Sequence, residues 1–175
     1  MPRPRQGTLD ALVREAILND ALTSYRVERI ANPAAGTDWT VTVRPGTTWL
    51  LFSVFARMVA DANVATRIPV IQISDGSQAW FRRSLSTGQT ASQTIDYSWA
   101  SGLGVDLLGN AVNSVPLPTP PLPLPGGTII SVVTTNIQVG DQWSRLGLFV
   151  GEVQQADMGN VAARRLAELH GDNLD

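Results

Sequence analysis

The segment Gly36-Thr-Asp-Trp-Thr-Val-Thr-Val-Arg-Pro-Gly-Thr-Thr-Trp49 decides how the rest of the chain reads. It writes Gly-x-x-Trp twice, from Gly36 to Trp39 and from Gly46 to Trp49, and the motif returns as Gly140-Asp-Gln-Trp143. Glycine reaches positive φ in a turn without steric cost. An indole placed directly behind such a turn starts a strand and caps the end of a sheet core. Between the first two motifs, Thr40-Val41-Thr42-Val43 alternates apolar and polar and stops at Pro45-Gly46, a turn dipeptide. These residues predict structural corners of a sheet protein and carry no chemistry of their own.

The same rhythm continues outward. Trp49 to Val59 is apolar on both parities, and Phe52, Val54 and Phe55 behind a turn favour a central buried strand over a short helix. Asp61-Ala62-Asn63 turns the chain, and Val64 to Ser74 is rich in β-branched residues, with Pro69 marking an edge or a bulge. Asp75-Gly76 is the clearest hairpin signal, a type I′ turn joining Val70–Ile73 to Ala79–Arg82. Thr94 to Trp99 alternates with Ile95, Tyr97 and Trp99 facing inward. Two further strands, from about Thr128 to Thr135 and Trp143 to Val153, flank the turn at Gly140-Asp141. The expected fold is all-β, an antiparallel β-sandwich or jelly roll of about seven or eight strands.

The ends read differently. Thr8 caps a helix from about Leu9 to Leu22, whose stripe of Leu9, Leu12, Val13, Ala16, Ile17 and Ala21 is widened by Leu18 and Leu22. Asp157 or Asn160 caps a short C-terminal helix ending near Leu169, with Met158, Val161, Ala162, Leu166 and Leu169 on one face and Gly171 as the stop. These stripes pack on their own domain or dock on a partner subunit. In the second case Leu12, Ile17, Leu18, Leu22, Leu166 and Leu169 are the candidate subunit contacts. The organisation expected is an N-terminal helical arm (1–30), a β-sandwich (31–153) and a C-terminal helix with a tail (154–175). Val115 to Gly127 holds six prolines and reads as an extended strap without its own hydrogen-bond ladder, laid across the sandwich or along a neighbouring subunit, or else offered as a PxxP ligand.

Composition narrows the function by exclusion. The 175 residues are 43% hydrophobic and 16% charged, enough for a real core, and the formal charge of −2 gives no field toward nucleic acid or an anionic membrane. All 13 basic residues are Arg, and cysteine is absent, which removes disulfides, thiolate nucleophiles and Cys-based zinc sites. Asp10, Arg14, Glu15 and Asp20 interrupt any signal-peptide core, and Trp49 to Ala60 is too short to span a bilayer. The expectation is a soluble chain without a secretion signal. A Walker loop needs the missing lysine, no Gly-x-Ser-x-Gly elbow is present, and the single histidine, His170, sits at a helix end. Asp38, Asp61, Asp75, Asp106 and Asp141 all fall at turns, where Asp bonds its own backbone, and no spacing singles out a glycosidase pair or a calcium site. Arg82-Arg83 and Arg164-Arg165 read as solvated faces or subunit salt bridges. The reading is therefore no enzyme, no cofactor and no metal.

Gly127 to Val153 resembles the closing strands of small virion proteins of tailed bacteriophages. Pro33 to Val43, Pro45 to Trp49 and Ile71-Gln-Ile-Ser-Asp-Gly76 share the same rhythm of turns. The resemblance implies an oligomeric β-sandwich subunit of a virus particle, without an active site, whose partners are copies of itself and capsid, portal or tail components. Its place is open among capsid decoration, head-to-tail neck or collar, and tail fibre. The alternative expectation is a carbohydrate- or receptor-binding β-sandwich, with tryptophans such as Trp80 and Trp99 as a glycan platform.

Overall fold

The structure, a computed structural model, describes residues 24–84, 88–101, 112–117 and 123–154. Within them the chain forms β1 (Ser24–Arg29), β2 (Thr40–Thr42), β3 (Thr47–Val59), β4 (Ile68–Ser74), β5 (Ala79–Ser84), β6 (Thr94–Ser101), β7 (Val112–Leu117), β8 (Pro123–Pro125), β9 (Ile129–Thr135) and β10 (Gln142–Gln154). Two sheets result. The larger runs β1-β10-β3-β6-β7, with β8 also on β3, and the smaller runs β2-β9-β4-β5. Pairing is antiparallel throughout except between β6 and β7, which run parallel. No helix occurs among the described residues.

Both sheets contribute to one hydrophobic core. Trp49, Val54 and Met58 of β3, Tyr97 and Trp99 of β6, and Trp143, Leu148 and Val150 of β10 join Ile71 and Ile73 of β4 and Ile130 and Val132 of β9. Tyr97 packs on Trp99 and Trp143 with ring centres 5.8 and 5.7 Å apart, distances at which aromatic pairs add to simple burial. The two-parity apolar run of β3 has a simple cause. Trp49 and Leu51 face the core before a register shift against β10, and Val54, Ala56 and Met58 face it after the shift, while Phe55 and Val59 lie on the outer face of the sheet and are each 40% exposed.

Several expectations need correction. The Asp75-Gly76 hairpin forms, but not as a two-residue type I′ turn, which requires positive φ at both central residues. Only Gly76 has positive φ (92°), and Asp75 instead accepts hydrogen bonds from the backbone N–H of Ser77 and Gln78 and from the Ser77 hydroxyl. The loop thus runs through Gln78, and a register shift follows Ile73. The proline strap does enter the sheet: β8 pairs Pro123–Pro125 with Leu50–Thr48, and β7 carries Pro116 beside β6. Proline lacks only the donor, so the intervening residues and the carbonyls can still pair. Leu124 is completely buried there.

The last part of the segment assigned to an N-terminal arm, Ser24–Arg29, is a strand. Its alternation of Tyr25 and Val27 with Arg26 and Glu28 suits a sheet edge. Ser24 pairs with Glu152, so the chain enters and leaves the larger sheet on neighbouring strands. Pro69 opposes Thr134 at the start of β4, and pairing with β5 begins only at Val70. The two end helices, residues 118–122 of the strap, Asp106 and His170 lie outside the described residues.

Candidate functional site

Gly36 and Gly46 have φ of 71° and 76°, and Trp39, Trp49 and Trp143 are all buried. Gly140 differs: its φ is not positive, and its role is close approach, since a Cβ there would lie 2.8 Å from the Asp61 carboxylate. Two of the indoles are fixed by carboxylates. Trp143 Nε1 donates to Asp38 Oδ1 at 3.1 Å, and Asp38 also accepts from the Thr134 hydroxyl at 2.6 Å and backbone N–H at 2.7 Å. Trp49 Nε1 donates to Glu152 Oε2 at 2.8 Å, and Arg26 pairs with that oxygen at 2.7 Å while its guanidinium lies 5.7 Å from the Trp49 ring centre. A tryptophan locked in this way positions strands and offers no open ring face.

The densest polar cluster is built on Arg67, which is fully buried. Its Nε and one terminal nitrogen donate to the two oxygens of Asp141, each at 3.0 Å, and the same nitrogen reaches Asp61 at 2.5 Å. The other terminal nitrogen donates to the carbonyls of Asn63 and Ala65. Asp141 is completed by the backbone N–H groups of Asp61 and Gln138. Burial alone would raise the Asp141 carboxyl, but the bond from Arg67 and those from Gln138 and Asp61 outweigh it and hold the group below the usual carboxylate range. Such a carboxylate is a poor general acid. Asp61 and Asp141, a pair brought together from two turns, serve as counterions to one guanidinium.

Next to this cluster, Gln89 is buried and ties three segments. It donates to the carbonyls of Met58 and Gln93 and accepts from the Tyr97 hydroxyl at 2.8 Å. Burial pushes the Tyr97 phenol far up, so it stays a neutral donor. No group of three or more metal-ligating side chains is found among the described residues.

What remains is surface. Trp80 on β5 is 49% exposed, whereas Trp99 is fully buried, so the two do not form a platform. The outer face of the larger sheet is more distinctive. Tyr25, Phe52 and Phe149 cluster with ring centres 5.5 to 6.2 Å apart, and Val27 and Phe55 extend the apolar area. Beside it, a shallow depression of about 400 Å³ is lined by Phe55, Ala56, Asp96, Tyr97, Ser98 and Arg145. Arg145 has φ of 53° at the bulge of β10 against β3, and the Phe55 ring lies over neighbouring Gly147. Asp96 is claimed by Arg57 through two bonds at 2.6 and 2.7 Å, and the first effect of that pairing is to lower its pKa.

The corner residues read from sequence therefore sit in turns and core: Gly36, Trp39, Gly46, Trp49, Asp75, Gly76, Gly140 and Trp143. Leu12, Ile17, Leu18, Leu22, Leu166 and Leu169 lie outside the described residues. Sequence reading missed the Arg67 cluster and the outer aromatic face. Their signals were an arginine inside a β-branched run flanked by acidic turns, and the second apolar parity of β3. Comparison of the chain with protein-family models, with curated proteins and with solved structures found no match in any of the three.

Proposed function

We propose that this chain is a non-enzymatic structural subunit of a tailed-bacteriophage virion, working as an oligomer attached at the capsid or the head-to-tail neck or collar. The observation that carries the reading is the strand order. The sequences β1-β10-β3-β6 and β2-β9-β4-β5 interleave as two Greek keys do in a jelly roll, an architecture frequent among capsid and lectin domains. On this reading the end helices flank the jelly roll and reach neighbouring subunits, and the partners are further copies and other virion proteins. The buried carboxylates of Asp141 and Glu152 and the half-buried one of Asp38 support it as well, because all three are committed to holding strands and corners together. The resemblance of residues 30–153 to small phage virion proteins points the same way. Imaging intact particles tests the proposal: density for this chain at the head or neck is expected. A strictly monomeric protein absent from purified particles would overturn it.

A second reading is a glycan- or receptor-binding module, favoured by the half-exposed indole of Trp80. It requires glycan-array retention that Trp80→Ala abolishes without lowering thermal stability.

A further inference from the structure

Among the described residues, β1 forms an edge of the larger sheet, and nothing pairs with its outer side. The other edges are blunted in ways that proteins use against edge pairing. β2 has three residues, β7 carries Pro116, and β5 presents the exposed tandem Arg82-Arg83. β1 is six residues long and free of proline, and its charges are of both signs, with Arg26 and Glu28 paired to each other at 3.0 Å.

The strand also has a definite phase. Ile30 N–H donates to the Leu146 carbonyl at 3.2 Å, and the register with β10 is unbroken from Ser24 to Arg29. In an antiparallel ladder the backbone groups alternate in direction. Arg26 and Glu28, sharing the parity of Ile30, turn theirs toward β10, so Tyr25, Val27 and Arg29 turn theirs outward.

We infer that two copies of this chain join edge to edge through β1, antiparallel about a two-fold axis at Val27. With Val27 opposite its own copy, the outward groups meet in register: Val27 with Val27, and Tyr25 with Arg29 in both directions. Each such pair exchanges two N–H···O bonds. The same register sets Arg26 against Glu28 twice on the other face, so opposite charges face each other and no like charges do. Tyr25 faces the guanidinium of Arg29, a cation–π partner. Tyr25 and Val27, 46% and 50% exposed, then lie on both sides of the axis, and the two outer aromatic faces become one surface. The contact is isologous, as a closed dimer needs. This inference deepens the proposed function and rests on its oligomeric part.

The chain has no cysteine, so single introduced cysteines report cleanly. Full-length Val27→Cys and Tyr25→Cys proteins would be oxidised and run on non-reducing gels, beside sedimentation velocity of the native protein. Val27 is half exposed, and an unchanged thermal melt would confirm that its variant folds. The expected result is a species at twice the 18.8 kDa chain mass, or a multiple of it, that Val27→Cys locks covalently. Tyr25→Cys stays reduced, because its copy lies four residues along the partner strand, roughly 13 Å away and beyond disulfide reach. A monomer overturns the inference, whether an intramolecular segment covers the edge or nothing does. So does an oligomer in which Val27→Cys stays reduced, or one in which Tyr25→Cys bridges as readily. A locked dimer absent from particles leaves this inference standing and removes the virion reading. A monomer recovered in particles does the reverse.

Discussion

Arg67 carries five N–H donors, and its geometry gives each nitrogen a carboxylate or carbonyl partner inside the protein. Removing one member of such a buried pair leaves the other charged and without compensation. Arg67→Ala should therefore cost about 3–5 kcal/mol, measured by urea denaturation. A cost below about 1 kcal/mol would mean that water replaces the guanidinium freely. The corner glycines make a paired test. Gly46 needs only the left-handed backbone, since nothing lies within 4 Å of a Cβ built there. At Gly36 the same backbone is combined with Val139 Cα only 2.8 Å away. Gly46→Ala should cost about 1–2 kcal/mol, the left-handed penalty alone. Gly36→Ala should cost clearly more, and equal costs in thermal melts would remove the steric argument.

Single strands and turns respond to their own chemistry. The Asp75 carboxylate caps the β4–β5 loop, and the backbone N–H of Gln78, then the Ser77 hydroxyl and N–H, lower its pKa from 3.8 to about 2. The folded loop thus prefers the charged form. Its contribution is complete above about pH 4 and is lost as the pH falls through 2. Amide exchange at Ser77 and Gln78 should accelerate over that window, and Asp75→Ala should erase the pH dependence there. Leu124 in β8 is fully buried, so Leu124→Ala should cost about 2–5 kcal/mol despite the brevity of its strand. If the loss were negligible, β8 would be a surface strap after all.

The elements also divide by how well the chain announces them. Thr40–Thr42 and the alternation Ile95-Asp96-Tyr97-Ser98-Trp99 were legible because one local period decides each, and the central β3 because Phe52, Val54 and Phe55 follow a turn. β8 was not, because prolines advertise the absence of a donor and hide the carbonyls and Leu124 that pair and pack. The type of the Asp75 turn was not, because Asp-Gly fits a two-residue turn equally well until the side chain captures Ser77 and Gln78.

At the scale of the whole molecule, both sheets are assembled from distant parts of the chain, such as β1 on β10 and β2 on β9. Closing long loops before any such pairing forms makes folding slow. Refolding followed by fluorescence of the buried tryptophans should take milliseconds to seconds, and a microsecond phase completing the signal would contradict this topology. Long-range pairing is also what the sequence conceals. Arg67 stands in a bridge to Gln89 directly before β4, whereas Asp61 and Asp141 come from turns 80 residues apart, and nothing local in either turn names the other.

Because Ser24 stands beside Glu152, the order of strands along the gene is only loosely tied to their order in space. A short linker from Gln154 back to Ser24, with new ends opened in the Asp75–Gln78 loop, would give a circular permutant that keeps every ladder of both sheets. The present start and finish of the two-sheet fold are thus one choice among several that the same packing allows.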